Sequence, residues 1–277
     1  MKSQRTTSGG FTATLLSPDA PDESIAVTSP IRALIFDLDG TLVDTIGGIA
    51  KAINCALVRH SLAPLTISEI ADRVGEGGTA LVEYALKKAR REVDSERAAQ
   101  LQESYFQAYL SAPIHETRVF PGVIPMLEYA KARDLDLAIC TNKAGVLAKA
   151  VLDGLDLTRY FRFLVYGDSL PHRKPHPGPI EWIVGRLGLP PDACVMIGDT
   201  ENDVCAARNS GVRSVFVSFG YSRLESLSSQ PDWVINDFDR LEPILRNFGH
   251  RQSNSCSADR DAILEQRGSC YGSTGSA

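Results

Sequence analysis

A buried strand that runs into an acidic loop decides the fold of this chain, and residues 31–45 read IRALIFDLDGTLVDT. The apolar run ends at Asp37, and Asp39 follows two residues later. Carboxylates two residues apart at the end of a strand can point the same way. Gly40 carries no side chain that would stop an anion from approaching the backbone N–H groups beyond it. Such a pair of carboxylates can offer one nucleophile and one acid or base.

Two other interpretations of this acidic loop involve no catalysis. A calcium-binding loop of the EF-hand type that starts at Asp37 would need Gly at its sixth position and Glu at its twelfth. Those positions hold Leu42 and Gly48, which excludes this type of loop. A purely structural acidic turn stays open as an alternative.

Four further apolar runs have the composition of buried strands, because β-branched and aromatic residues dominate them. They are LDLAIC (135–140), FRFLVY (161–166), ACVMIG (193–198) and SVFVS (214–218). The segments between them carry the 3.6-residue periodicity of helices. Alternation of strands and helices predicts an α/β fold with a doubly wound, Rossmann-like parallel sheet.

One long insertion breaks this alternation after the first strand. It has no strand signal and shows helical spacing, for example at Ile46, Ile49 and Ile53, with a possible capping box from Thr66 to Glu69. We therefore expect a small inserted α-helical cap domain. The predicted organisation is a disordered tail over 1–30, an α/β core over 31–45 plus 117–247, a helical cap over 46–116, and a second disordered tail over 248–277.

Two later segments carry groups suited to binding an anion. Thr141 and Asn142 follow a predicted strand and precede a helix, so a hydroxyl and helix N-terminal N–H groups can form an anion cradle. A routine helix cap is the alternative there. Lys174 lies in the proline-rich loop RKPHPGP, which can hold it in a fixed direction. His172 and His176 cannot share a helix through these prolines, so we expect solvated or hydrogen-bonded histidines.

A last acidic motif, GDTEND, places Asp199 and Asp203 after the strand ACVMIG. Ligands of open parallel sheets bind at the carboxyl ends of the strands, where Asp37, Asp39 and Thr141 also fall. Carboxylates gathered at one place repel each other unless one takes a proton or a cation binds. A hard cation with oxygen ligands, hence Mg²⁺, is the simplest solution.

Composition excludes several classes of partner. The chain has 277 residues and a mass of 30.1 kDa, with 29 basic and 34 acidic residues and a net charge of −5. No general positive field exists to bind nucleic acid or an anionic membrane, and no apolar run reaches the roughly 18 residues of a membrane helix. The six cysteines contain no CxxC pair. We expect free thiols and a cytoplasmic protein, either a monomer or a homodimer.

Taken together and in this order, the motifs resemble those of the haloacid dehalogenase superfamily, over about residues 31–247. The four matching elements are DLDGTLVDT, the Thr of CTNK, the Lys of RKPHPGP, and GDTEND. Within the superfamily the chain is most similar to phosphoglycolate phosphatases. That likeness rests on VGEGGTALVEYAL, TNKAGVLAKAVLDGLDLTRYF and GYSRLESLSSQPDWVIND. Gly178 departs from the pattern, because those enzymes often carry an acidic residue there.

The resemblance implies a role for each matching residue. Asp37 would be the nucleophile and Asp39 the acid/base, with Thr141 and Lys174 neutralising the phosphoryl oxygens. Mg²⁺ would be held by the Asp37 carboxylate, the Asp39 backbone carbonyl and Asp199. Asp203 would orient Lys174 or a metal-bound water. The remaining expected substrate-binding residues are Gly40, Thr41, Asn142, Gly77 and Arg73, the last with a surface salt bridge as its alternative.

The implied activity is a Mg²⁺-dependent phosphatase for a small phosphate ester, first of all 2-phosphoglycolate. Asp39 favours phosphate chemistry, because a departing halide needs no proton. The alternatives are another ester such as N-acetylmuramic acid 6-phosphate, a sugar phosphate or pyrophosphate, and a hexose phosphate mutase. Two non-enzymatic alternatives are a binding module that retains the fold and a scaffold whose tails dock a partner.

Overall fold

Six parallel strands form one sheet in the computed structural model, which describes residues 30–90 and 94–250. A separate pair of short strands is antiparallel, with Val43 opposite Val119. In chain order the strands are β1 Ala33–Phe36, β2 Val43–Asp44, β3 Arg118–Val119, β4 Asp136–Cys140, β5 Phe163–Val165, β6 Cys194–Gly198, β7 Arg213–Val217 and β8 Trp233–Ile235. The order in the large sheet is β5-β4-β1-β6-β7-β8, so β1 lies at its centre.

The helices are α1 Ile46–Arg59, α2 Ile67–Val74, α3 Gly78–Lys88, α4 Ser95–Leu110, α5 Val123–Lys131, α6 Gly145–Gly154, α7 Gly178–Leu187, α8 Glu201–Asn209 and α9 Leu241–His250. Of these, α5 to α9 cover the two faces of the sheet. Leu34 and Phe36 of β1 belong to the apolar core that includes α5, α6 and α9. Ala33 and Ile35 point the other way, into the core that includes α7 and α8. The predicted doubly wound α/β fold is confirmed.

The register of the central strands brings their carboxyl ends together. Phe36 of β1 pairs with Ile139 of β4 and with Ile197 of β6. The residues that follow these strands therefore meet at one edge of the sheet. This is the edge where open parallel sheets bind ligands.

The helices α1 to α4, called the cap below, lie between β2 and β3. The capping box is present: Glu69 N donates to Thr66 Oγ1 at 3.3 Å, and Thr66 N donates to Glu69 Oε2 at 2.9 Å. The ribbon of β2 and β3 joins the cap to the rest of the chain and has no sequence signal, because two residues are too few for a pattern. The domain boundaries given above stay a prediction.

Several elements differ from the sequence prediction. β8 was not predicted, and β5 covers only three residues of the run 161–166. The helix α9 continues to His250, three residues past the predicted end of the core. Apart from Pro30 and residues 248–250, the two predicted tails lie outside the described residues. Across the described part of the chain, no helix combines the length and the apolar character needed to cross a membrane.

Candidate active site

Lys174 joins two carboxylates at the edge of the sheet. Its Nζ donates to Asp37 Oδ1 at 2.8 Å and to Asp203 Oδ1 at 2.5 Å, and all three side chains are buried. Burial alone would lower the pKa of Lys174, but the Asp203 and Asp37 carboxylates outweigh it and raise that pKa. Lys174 is therefore a fixed positive charge beside Asp37.

A second lysine, Lys143, pairs with Asp39. Its Nζ donates to both oxygens of the Asp39 carboxylate, at 3.0 and 3.1 Å, and the ammonium lies 4.5 Å from the centroid of the Tyr109 ring. Thr45 Oγ1 donates to Asp39 Oδ1 at 2.7 Å. Burial acts to lower the pKa of Lys143, whereas Asp39 acts to raise it, and the pKa is raised overall. The nucleophile and acid/base candidates thus each have their own buried lysine.

Asp199 lies deeper and has no such partner. Its carboxylate accepts hydrogen bonds from Thr41 Oγ1 at 3.0 Å and from the backbone N–H of Tyr221 at 2.8 Å. Neither donor carries a charge. Burial raises the pKa of Asp199 well above its usual value, and the carboxylates of Asp37 and Asp203 raise it further. Among the described residues, no basic side chain pairs with the Asp199 carboxylate.

The carboxylates of this edge fit a divalent cation. One oxygen each from Asp37, Asp199 and Asp203 lies within 4.8 Å of the others, the one such group of potential ligands in residues 30–90 and 94–250. Burial raises the pKa of Asp37 to about 6; Lys174 opposes the shift, while Asp203 and Asp39 add to it. A cation would offset the repulsion, and carboxylate oxygens are the ligands that Mg²⁺ prefers. The Asp39 carbonyl as a further ligand stays a prediction.

Gly40 is required by the close packing of the loop after β1. Its φ is +85°, and a Cβ at this position would lie 2.3 Å from Asp199 Oδ2. A side chain would displace the carboxylate that the cation site depends on. The adjacent Thr41 contributes its hydroxyl to the same carboxylate.

Thr141 and Asn142 lie beside these carboxylates, after β4. The Thr141 hydroxyl accepts a hydrogen bond from the backbone N–H of Lys143 at 3.2 Å. Asn142 Nδ2 donates to the carbonyl oxygens of Gly75 at 2.9 Å and Lys174 at 2.8 Å. The amide N–H groups of Asn142 are thus engaged with backbone, and its assignment to substrate stays a prediction.

The loop between α2 and α3 brings the cap against the core. The Gly75 carbonyl accepts from Asn142 and also from Asn202 Nδ2 at 3.0 Å. Gly77, with a φ of +89°, lies so close to the core that a Cβ would be 2.8 Å from the Asn142 carbonyl oxygen. The cap is therefore closed over the carboxylates.

Arg73 does not reach this site. Its guanidinium lies 4.1 Å from the centroid of the Tyr84 ring and 3.6 Å from Glu76 Oε1. Both partners belong to the cap, and Arg73 is absent from the residues that line the cavity below it. In this closed arrangement Arg73 forms the salt bridge given above as its alternative, and its contact with substrate stays a prediction. The loop histidines His172 and His176 stack at 4.1 Å, and His176 Nδ1 accepts from Gly178 N at 3.0 Å.

A small cavity separates the cap from the Lys143–Asp39 pair. Its volume is about 20 Å³, room for about one water molecule. Entry of a phosphate ester therefore requires the cap to move. The lining residues are Asp39, Ile49, Val74, Gly77, Gly78, Leu81, Tyr105, Phe106, Lys143, Ala144 and Leu147.

Fold and site together define the class of protein. A buried carboxylate at the carboxyl edge of a parallel sheet, paired with lysine and covered by a helical cap, is suited to nucleophilic catalysis in a site shielded from water. The chain belongs to the haloacid dehalogenase-like hydrolase family, whose model matches residues 34–217.

Relatives and solved structures agree with this assignment. A phosphoglycolate phosphatase of Agrobacterium fabrum is 36% identical over 76% of this chain and 91% of its own length. One of Pectobacterium atrosepticum is 35% identical over 83% of this chain and 98% of its own. The crystal structure of a predicted phosphoglycolate phosphatase from Haemophilus somnus has a TM-score of 0.73 and 30% identity, covering 78% of this chain and 99% of that one.

The predicted resemblance is thereby confirmed, and the chain is a phosphoric monoester hydrolase similar to phosphoglycolate phosphatases. Sequence reasoning missed four residues of the site: Lys143, Thr45, Tyr221 and Asn202. Lys143 lies two residues after the predicted Thr141 in CTNK, and Tyr221 lies in GYSRLESL, so both belong to motifs quoted above. The roles of Asn202 and Thr45 are visible only from their contacts in the folded protein.

Proposed function

We propose that the protein is a cytoplasmic, Mg²⁺-dependent phosphatase that hydrolyses 2-phosphoglycolate to glycolate and phosphate through an aspartyl-phosphate on Asp37. One observation carries this proposal. Asp37 and Asp39 are held by separate buried lysines, at 2.8 and 3.0 Å, beneath the cap. Two neighbouring carboxylates with separate partners can take the separate roles of nucleophile and acid/base.

Asp37 attacks phosphorus in line with the leaving oxygen, and the phosphoryl group passes to its carboxylate. Lys174 lies beside Asp37 and stabilises the charge that develops on the phosphoryl oxygens. The Thr141 hydroxyl is a second donor at this edge. Asp203 holds Lys174 by its short hydrogen bond, so the ammonium is already oriented when substrate arrives.

Asp39 serves both halves of the reaction. It gives a proton to the leaving alkoxide in the first half and takes one from the attacking water in the second. Thr45 and Lys143 fix the direction of its carboxylate. A water then breaks the bond between phosphorus and Asp37, which regenerates the free carboxylate and releases phosphate.

The side chains of Asp37 and Asp199, with the Asp39 carbonyl, would hold Mg²⁺, while Asp203 lies beside them and orients Lys174. When bound, the ion supplies positive charge that offsets the repulsion between the nucleophile and the phosphate. The position of Asp199 in the carboxylate cluster, with only uncharged hydrogen-bond donors, supports this assignment.

The choice of 2-phosphoglycolate rests on the names of the relatives at 35–36% identity and on the small cavity. A leaving group of five heavy atoms demands less displacement of the cap than a sugar does. The apolar cap residues exclude water from the site once substrate is bound.

A panel of phosphate esters tests the proposal. Phosphate release is measured with 2-phosphoglycolate, N-acetylmuramic acid 6-phosphate, a hexose phosphate and pyrophosphate, with Mg²⁺ and with EDTA. We expect the highest kcat/KM for 2-phosphoglycolate and no turnover in EDTA. Preference for a sugar phosphate or pyrophosphate would contradict the substrate, and full activity in EDTA would contradict the metal.

A further inference from the structure

Lys143 lies where the leaving group of the substrate must lie. In an in-line attack by Asp37, the leaving oxygen is on the far side of phosphorus, and its proton donor is Asp39. Asp39 and Lys143 both line the cavity beneath the cap. As the cap moves to admit substrate, the alcohol part of the ester would therefore enter this region, in contact with Lys143.

The other walls of the cavity are poorly suited to a charged ligand. Apart from Asp39 and Lys143, they consist of apolar side chains, glycines and Tyr105. A carboxylate taken from water into such surroundings is costly unless a cation pairs with it. Among the described lining residues, Lys143 is the one cation.

Two other nearby cations are engaged elsewhere: Lys174 binds Asp37 and Asp203 on the phosphoryl side, and Arg73 lies on Tyr84 in the cap. Arg173 lies behind Gly77, 3.5 Å from where a Cβ of that glycine would be, and does not line the cavity. The ammonium of Lys143 has three N–H groups, and its two bonds to Asp39 use two of them. The third N–H is left for the contact with Tyr109, whose ring centroid lies 4.5 Å from the ammonium, and a ligand carboxylate would replace that contact.

The start of α3 faces the same cavity and adds a second attraction for an anion. Gly77 and Gly78, the N-cap and first residue of α3, both line the cavity, and no side chain caps the helix. The first N–H groups of a helix have no intrahelical acceptor and carry partial positive charge.

We propose that Lys143 is the specificity-determining residue of the leaving-group pocket: it binds a carboxylate of the alcohol part, so the enzyme prefers phosphate esters of small hydroxy acids to esters of neutral alcohols. This inference rests on the proposed function and names the group that distinguishes the substrate from neutral esters. It assigns to Lys143 the role that the sequence suggested for Arg73.

A matched pair of substrates tests the inference. 2-Phosphoglycolate carries the carboxylate, and ethylene glycol monophosphate carries a neutral hydroxyl of similar size. Lys143→Gln keeps a hydrogen-bond donor for Asp39 but removes the charge. We expect its kcat/KM for 2-phosphoglycolate to fall about 10- to 100-fold more than for the neutral ester, mainly through KM. Lys143→Arg keeps the charge and should retain most of the preference.

The control is Lys149→Gln, which removes the same charge from an exposed lysine of α6 that pairs with Asp153. It should leave the ratio of the two kcat/KM values unchanged. If Lys143→Gln lowers kcat/KM for both esters by the same factor, Lys143 acts only through Asp39 and the inference is wrong. If Lys143→Gln does not fold, Lys143→Arg decides. A Lys143→Arg variant that prefers 2-phosphoglycolate as strongly as the wild type supports the inference, and one that has lost this preference contradicts it. A wild type that hydrolyses neither ester contradicts the proposed function instead.

Discussion

The edge of the sheet and the cap contribute to the same site by different means. The sheet edge supplies charge: four carboxylates and two lysines, all buried, each within hydrogen-bond distance of a partner. The cap supplies shape, through glycines, apolar side chains and one carbonyl that accepts two asparagine amides. Charge and enclosure therefore come from different regions, and variants of the two regions should fail in different ways.

The nucleophile gives the largest expected effect. Asp37→Asn removes the attacking carboxylate, and we expect phosphate release to fall by roughly 10³-fold or more. The fold should persist, because Lys174 keeps its bond to Asp203. Steady-state phosphate release and circular dichroism measure the two properties. A folded variant with activity near that of the wild type would show that Asp37 at the sheet edge is not the nucleophile.

The cation site comes next. Asp199→Asn replaces a carboxylate that has only uncharged donors, so Mg²⁺ should bind more weakly and turnover should fall by about 100-fold. Thermal unfolding with and without Mg²⁺ provides a readout independent of activity. The wild type should gain stability with Mg²⁺ by mass action, and the variant should gain much less. An equal gain in both would place the ion elsewhere.

The crowded carboxylates should also make the metal-free protein less stable as pH rises. The pKa of Asp37 is raised from 3.8 to about 6 in the folded state, so the folded protein binds this proton more tightly than the unfolded chain. The free energy of unfolding should then fall between pH 4 and pH 6, by about 3 kcal/mol at most from this group. Urea unfolding of the wild type and of Asp37→Asn, both in EDTA, isolates the contribution of Asp37 to the free energy of unfolding. The stability of the variant should rise relative to the wild type across this range, and a constant difference would contradict the shift.

A variant that weakens the contact between cap and core should lower activity by a smaller factor. Asn202→Ala removes one of the two donors to the Gly75 carbonyl, so cap closure should weaken and kcat/KM should fall about 2- to 10-fold. Asn209→Ala is the control, because this asparagine ends the same helix and donates to the exposed Pro175 carbonyl. Equal effects of the two variants would show that the contact does not control closure.

The smallest effect is expected in the cap at Arg73. Arg73→Met removes a partly exposed pair with Glu76, and such pairs contribute about 0–1 kcal/mol. Because the guanidinium lies on Tyr84, outside the cavity, KM for 2-phosphoglycolate should change less than about twofold. A large rise in KM would restore Arg73 to the substrate-facing loop.

The sequence was most informative where one short segment carries both a structural and a chemical signal. The apolar run before Asp37 predicted a central strand, and the order of strands placed Asp199 and Thr141 at the same edge. Contacts between distant segments left no such signal. Lys143 pairs with a residue 104 positions away, and Tyr221 bonds to one 22 positions away through its backbone. The direction of Arg73 depends on Tyr84 and Glu76, which its own motif does not show.

Chemical trapping of the intermediate tests the central claim most directly. The wild type is mixed with 2-phosphoglycolate and Mg²⁺, quenched in acid and reduced with borohydride, which converts an aspartyl-phosphate to homoserine. Peptide mass spectrometry then locates the change. The mechanism predicts homoserine at position 37, with none in Asp37→Asn. Homoserine at position 39, or active enzyme with an unmodified Asp37, would contradict it.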